Sequence, residues 1–141
     1  MSNKKAYLAH LRKVSLFSSC STKDLEKIAK SGDEVILPKG SIIVDQGQTG
    51  KEAFIILSGT ATVKRNSRKI ATLEAGAIVG ELSLLDHGPR TATVICDTDC
   101  LVLVINQRNL MGLIDTVPAL AHKLMASLAS RIRQLDRASF G

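Results

Sequence analysis

The chain has 141 residues, 45% of them apolar, which is enough to close one core and too few for a second independent one. Its net charge of +6 divides unevenly, with seven Lys/Arg against two Asp/Glu in residues 1–30, seven against nine in 31–106, and five against two in 107–141. That places the basicity on the terminal segments, where solvated helix faces account for it, and aromatics at 3% leave little for base stacking on a nucleic acid.

Residues 4–14 set Leu8, Leu11 and Val14 near one face with cations opposite, the pattern of an amphipathic helix and not of a signal peptide. Phe17 follows in a short connector. Ser21-Thr22-Lys23-Asp24 reads as a capping box ahead of Leu25, Ile28 and Ala29, and Gly32 is expected to end that helix. From Glu34 the period changes to short β-branched runs at 35–37, 41–44, 53–57 and 60–64, separated by Pro38-Lys39-Gly40, by the segment carrying Gly47 and Gly50, and by Ser58-Gly59. Residues 66–68 read as a hairpin tip, and strands at 70–73 and 77–79 lead into the segment Gly80–Val94. Strands at 91–96 and 100–105 turn through Asp97-Thr98-Asp99. Short strands at this density predict an antiparallel β-roll or jelly roll, mainly β, with helices on either side.

Asn106 is the expected N-cap of a helix carrying Leu110, Leu113 and Ile114, and Pro118 suits the first turn of a last helix over 118–137. Leu120, Leu124, Leu128, Ile132 and Leu135 recur there at three- and four-residue steps, so one face is continuously apolar. The whole is expected to be one domain: N-terminal helices in 1–32, the roll in 33–106 and C-terminal helices in 107–137. No apolar run approaches the roughly 20 residues of a membrane span, and Cys20, Cys96 and Cys100 form neither a disulfide framework nor a zinc knuckle. A reducing, cytoplasmic setting is expected.

The segment that carries chemistry is Gly-Glu-Leu-Ser-Leu-Leu-Asp-His-Gly-Pro-Arg-Thr-Ala-Thr-Val, residues 80–94. It suits a compact anion. Gly80 removes a Cβ from the approach, Leu82 and Ser83 sit where a short helix would leave its first N–H groups unpaired, and Arg90 supplies a planar cation that cannot lose its proton. Glu81 would repel a phosphate unless it had its own partner, for which a ribose hydroxyl serves. Each also has a plainer role open to it: Arg90 a surface arginine, Glu81 a carboxylate at a helix start, Ser83 an ordinary helix residue. His87 beside Asp86 lacks a nucleophile at a recognisable elbow, and three scattered histidines make no metal site.

These residues resemble the phosphate-binding cassette of the cyclic nucleotide-binding domain family, in which Gly-Glu, a short helix and Pro-Arg-Thr/Ser/Ala-Ala recur in this order. The likeness continues upstream through Leu37-Pro38-Lys39-Gly40, Gln46-Gly47, Gly50, Phe54-Ile55-Ile56 and Ser58-Gly59. The resemblance implies a cassette over 80–92 in which Glu81 holds the ribose 2′-hydroxyl, Arg90 the cyclic phosphate, and the Leu82 and Ser83 amides complete the cradle. Thr91 would lie near base and phosphate, with Ala92 beside it. Val63, Leu73 and Val79 would contact the purine, and they fit a plain core equally well.

The ligand implied is cyclic AMP, slightly ahead of cyclic GMP, with no cofactor, no metal and no catalysis. In the family the helices after the roll move over the base and carry the signal. That makes 118–137 a candidate lid, beside its alternatives of core helix or dimer seam, with Arg131 and Arg133 as candidate stackers on the base. The chain shows no helix-turn-helix or other output segment, so the effector is expected to be a separate protein or a fused domain. A β-roll enzyme, a fragment of a transcription regulator and a degenerate roll acting as a protein scaffold are the other readings.

Overall fold

The computed structural model describes residues 8–9, 11–80 and 89–140, leaving aside the side chains at 15, 127, 131–132 and 134–140. Backbone is helical at 8–9 and 11–12, and a 3-10 turn at Ser15–Phe17 buries Phe17 completely. Helix α1 (Thr22–Lys30) opens on the expected capping box: Ser21 Oγ accepts from the Asp24 N–H at 3.1 Å while the Asp24 carboxylate accepts from the Ser21 N–H at 3.3 Å.

Gly32 does not end that helix. The cap is Ser31, in right-handed conformation, with its N–H on the Ile28 carbonyl. What requires glycine at 32 is space, because a Cβ there would collide with the Val104 carbonyl.

Among the described residues eight strands follow: β1 (Asp33–Leu37), β2 (Ile42–Val44), β3 (Glu52–Ser58), β4 (Ala61–Arg65), β5 (Arg68–Leu73), β6 (Ile78–Val79), β7 (Thr93–Cys96) and β8 (Cys100–Asn106). They form two antiparallel four-stranded sheets in the orders β1-β8-β3-β6 and β2-β7-β4-β5. The β4–β5 connection turns through Asn66 and Ser67 with φ of 54° and 67°, the two positive values that a tight hairpin requires.

The strand period of two explains the two cores. Along β3, Ala53, Ile55 and Leu57 face the helices, whereas Phe54 and Ile56 point between the sheets. On β8, Leu103 and Ile105 join the first set, and Cys100 and Val102 the second. Because both faces of these strands are covered, their sequences read as unbroken apolar runs.

Helix α2 (Gln107–Thr116) begins at Asn106, whose side chain accepts from the Asn109 N–H at 2.8 Å. Helix α3 (Pro118–Phe140) extends three residues past the expected end at 137. Its residues Leu120 and Leu124 are buried in the helix-side core, and Leu128 packs against that core. The Asn109 side-chain amide also donates to the Ser31 carbonyl at 2.7 Å, tying the start of α2 to the end of α1.

Candidate functional site

Arg90 is the one charged side chain buried among the described residues, 7% exposed. Burying a guanidinium is costly unless dipoles or charges meet it. Two backbone carbonyls do so here: Nη1 donates to Gly80 O at 2.9 Å and Nη2 to Glu52 O at 2.8 Å. Bonds on two different nitrogens fix the plane of the group as well as its position.

The main chain of Arg90 is held just as closely. Its carbonyl accepts from the Gly47 N–H at 2.9 Å and its own N–H donates to the Gln48 carbonyl at 2.8 Å. Residues 47–52 therefore grip Arg90 from backbone to guanidinium.

Two glycines make the grip possible. At Gly50 a Cβ would collide with Nη2, and at Gly80 one would collide with Nη1. Gly80 also has φ +85°, in the region that favours glycine. The room left by the absent Cβ at Gly80 thus belongs to the cation.

A second layer of polar contacts braces the loop. The Gln46 N–H donates to Thr93 Oγ1 at 3.0 Å, and that hydroxyl donates to Asp45 Oδ1 at 2.8 Å. The Gln46 side chain exchanges two bonds of 2.9 Å with Asn66 at the β4–β5 tip, donating to its Oδ1 and accepting from its N–H. Arg65 Nε donates to the Thr91 carbonyl at 3.1 Å, one residue beyond Arg90.

Of the residues singled out in the sequence, the structure brings Gly80 and Arg90 into contact. Thr91 is exposed, and Ala92 is buried beside it. Val63, Leu73 and Val79 all join the inter-sheet apolar cluster, Val79 buried and the other two half-buried. Glu81, Leu82, Ser83 and His87 lie outside the described residues, as does the Arg131 side chain, whereas Arg133 is exposed.

The Gln46 bracing and the Glu52 carbonyl were not legible as site elements. Their only local signal was a pair of closely spaced glycines, Gly47 and Gly50, before an apolar strand.

The cysteines do not add chemistry to the site. All three are buried free thiols, and burial, reinforced by a hydrogen bond with Cys100, pushes the Cys96 thiol up to about 12. Burial, with Asp24 nearby, also raises Cys20. The thiols of Cys20 and Cys96 therefore stay protonated and unreactive near neutral pH. Among the described residues no group of three side chains is placed to hold a metal ion, and no helix is long and apolar enough to cross a membrane.

Comparison with known proteins gives a consistent picture. Residues 34–117 match the model of the cyclic nucleotide-binding domain. The chain is similar to the cyclic AMP receptor protein of Thermus thermophilus, 30% identical over 126 residues, covering 86% of this chain and 58% of that protein. It is also similar to the cAMP-dependent protein kinase regulatory subunit of Aspergillus niger, 30% identical over 119 residues, covering 81% of this chain and 29% of that one. Among solved structures, the catabolite activator protein of Thermus thermophilus superposes with a TM-score of 0.80 at 30% identity, covering 87% of this chain and 60% of that one. The chain thus spans less than two thirds of the length of these relatives.

Proposed function

The chain belongs to the cyclic nucleotide-binding domain family, and from that premise we propose that it binds cyclic AMP, slightly ahead of cyclic GMP, and passes the binding signal through its C-terminal helices to an effector. The observation that carries this reading is Arg90, a buried cation gripped by loop 47–52 and by Gly80 at the head of the cassette. A fixed planar guanidinium matches two oxygens of a cyclic phosphate, and the protein has already met the cost of ordering it.

In this proposal Glu81 accepts from the ribose 2′-hydroxyl, and the Leu82 and Ser83 amides donate to the phosphate. Thr91 and Ala92 line the phosphate end, and Val63, Leu73 and Val79 form the apolar wall for the base. The lean toward cyclic AMP is supported by the receptor and the kinase regulatory subunit named above, both of which are designated for that nucleotide.

Transmission through α2 and α3 is supported by their attachment. Asn109 ties the start of α2 to the end of α1, and Leu120 and Leu124 of α3 share the helix-side core with Phe17. A shift at one end of this layer therefore has packed neighbours to move. The effector itself is a separate protein or another domain. Similarity to the N-terminal domain of a transcriptional regulator from Streptomyces coelicolor, 28% identical with a TM-score of 0.69 over 92% of this chain and 93% of that one, favours, as a second reading, the sensing portion of a transcription regulator.

Isothermal titration with cyclic AMP and cyclic GMP tests the proposal. Saturable binding of both, tighter for cyclic AMP, is expected. No heat and no competition at millimolar nucleotide would count against it, and a sequence-selective, salt-sensitive DNA shift by this chain would promote the second reading.

A further inference from the structure

The β4–β5 hairpin reads Lys64-Arg65-Asn66-Ser67-Arg68-Lys69, four cations in six residues. Its register sets Lys64 opposite Lys69 and Arg65 opposite Arg68. Like charges directly across an antiparallel pair repel, so folding does not favour this arrangement. Arg65, Arg68 and Lys69 are exposed and Lys64 is half-buried.

The rest of the roll has the opposite sign. Outside the hairpin, residues 31–106 contain three cations, Lys39, Lys51 and Arg90, against nine carboxylates. Those carboxylates oppose the approach of a phosphate across that surface. The hairpin stands where it counters this, since Arg65 Nε bonds the Thr91 carbonyl and Asn66 exchanges two bonds with Gln46, the residue before Gly47 of the Arg90 clamp.

We infer that the 64–69 hairpin is an electrostatic entrance to the anion site: its cations draw the cyclic nucleotide toward Arg90 and raise the association rate without holding the bound ligand. This rests on the proposed nucleotide binding. The effect needs no particular side-chain direction, because charges act over a Debye length of about 10 Å at 0.1 M salt.

Stopped-flow binding of a fluorescent cyclic AMP analogue tests it, over a range of ionic strength, in the full chain. The variant is Arg68→Glu/Lys69→Glu, which spares the Arg65 contact. The control is Lys23→Glu/Lys27→Glu, which makes the same change in net charge on exposed positions of α1, in the helix layer.

At low salt the hairpin variant is expected to associate about tenfold more slowly, with an unchanged dissociation rate and a difference that fades as salt rises. The control is expected to stay near the wild-type rate. Arg68→Gln/Lys69→Gln, a milder change that protects against misfolding, is expected to fall in between. Nucleotide binding with the same association rate in all proteins, or an equal loss in the control, would overturn the entrance. Failure of the wild-type chain to bind any nucleotide would instead remove the functional reading and the entrance with it.

Discussion

The two faces of β3 bury similar side chains for different ends. On one, Ala53, Ile55 and Leu57 join Phe17, Leu25, Leu103 and Leu120 in a core where, among the described residues, no charged side chain is buried. On the other, Phe54 and Ile56 line an inter-sheet core, while the strand's first residue, Glu52, gives its carbonyl to the Arg90 guanidinium. The helix-side core can be explained by stability alone. The presence of a buried cation at the border of the other core calls for a second reason, because burying a guanidinium carries a desolvation cost that an apolar core does not.

The independence of the two faces is tested most strongly by damaging the helix side and looking for an effect on the ligand. Phe17→Ala removes a fully buried ring and is expected to cost about 3–5 kcal/mol of stability in denaturant unfolding, with a much smaller change in the nucleotide affinity of the folded fraction. Comparable loss in both quantities would merge the two regions into one.

The converse change is Gly50→Ala. Its Cβ would displace Nη2 of Arg90, so cyclic AMP affinity is expected to fall by about 1.5–3 kcal/mol by titration, the value of a hydrogen bond to a charged group. Overpacking would also cost about 1–3 kcal/mol of stability. An affinity equal to wild type would mean that the loop does not position the cation.

Glu81→Ala tests the ribose role at the same site. A loss of about 1.5–3 kcal/mol is expected, and it should be larger for cyclic AMP than for its 2′-deoxy form. Equal losses would remove Glu81 from the sugar. The smallest expected effect is at Ser21→Ala, which breaks the α1 capping box for about 1 kcal/mol of stability, visible in thermal unfolding, and leaves binding alone.

Most of the fold was legible because its signals are local. β-branched runs broken by Pro38-Lys39-Gly40 and Ser58-Gly59 marked strands, Ser21 and Asn106 marked helix starts, and both caps form as read. Gly32 departs from expectation because a helix-ending glycine and one needed for close approach look alike in sequence. The deciding neighbour, Val104, is distant along the chain.

The site divided along the same line. Gly80 and Arg90 could be picked out because they share one short segment. The grip on Arg90 could not, since its Glu52 contact spans 38 residues and uses a carbonyl that every residue has. Nothing in the identity of Glu52 announces that role.

The most direct test of the Arg90 assignment is a calorimetric titration of cyclic AMP into the wild-type chain and Arg90→Leu, with circular dichroism confirming that both are folded. A loss of about 2–5 kcal/mol, roughly 30-fold or more in Kd, is expected, because the phosphate would be buried without its cation. Equal affinity in the two folded proteins would contradict the assignment.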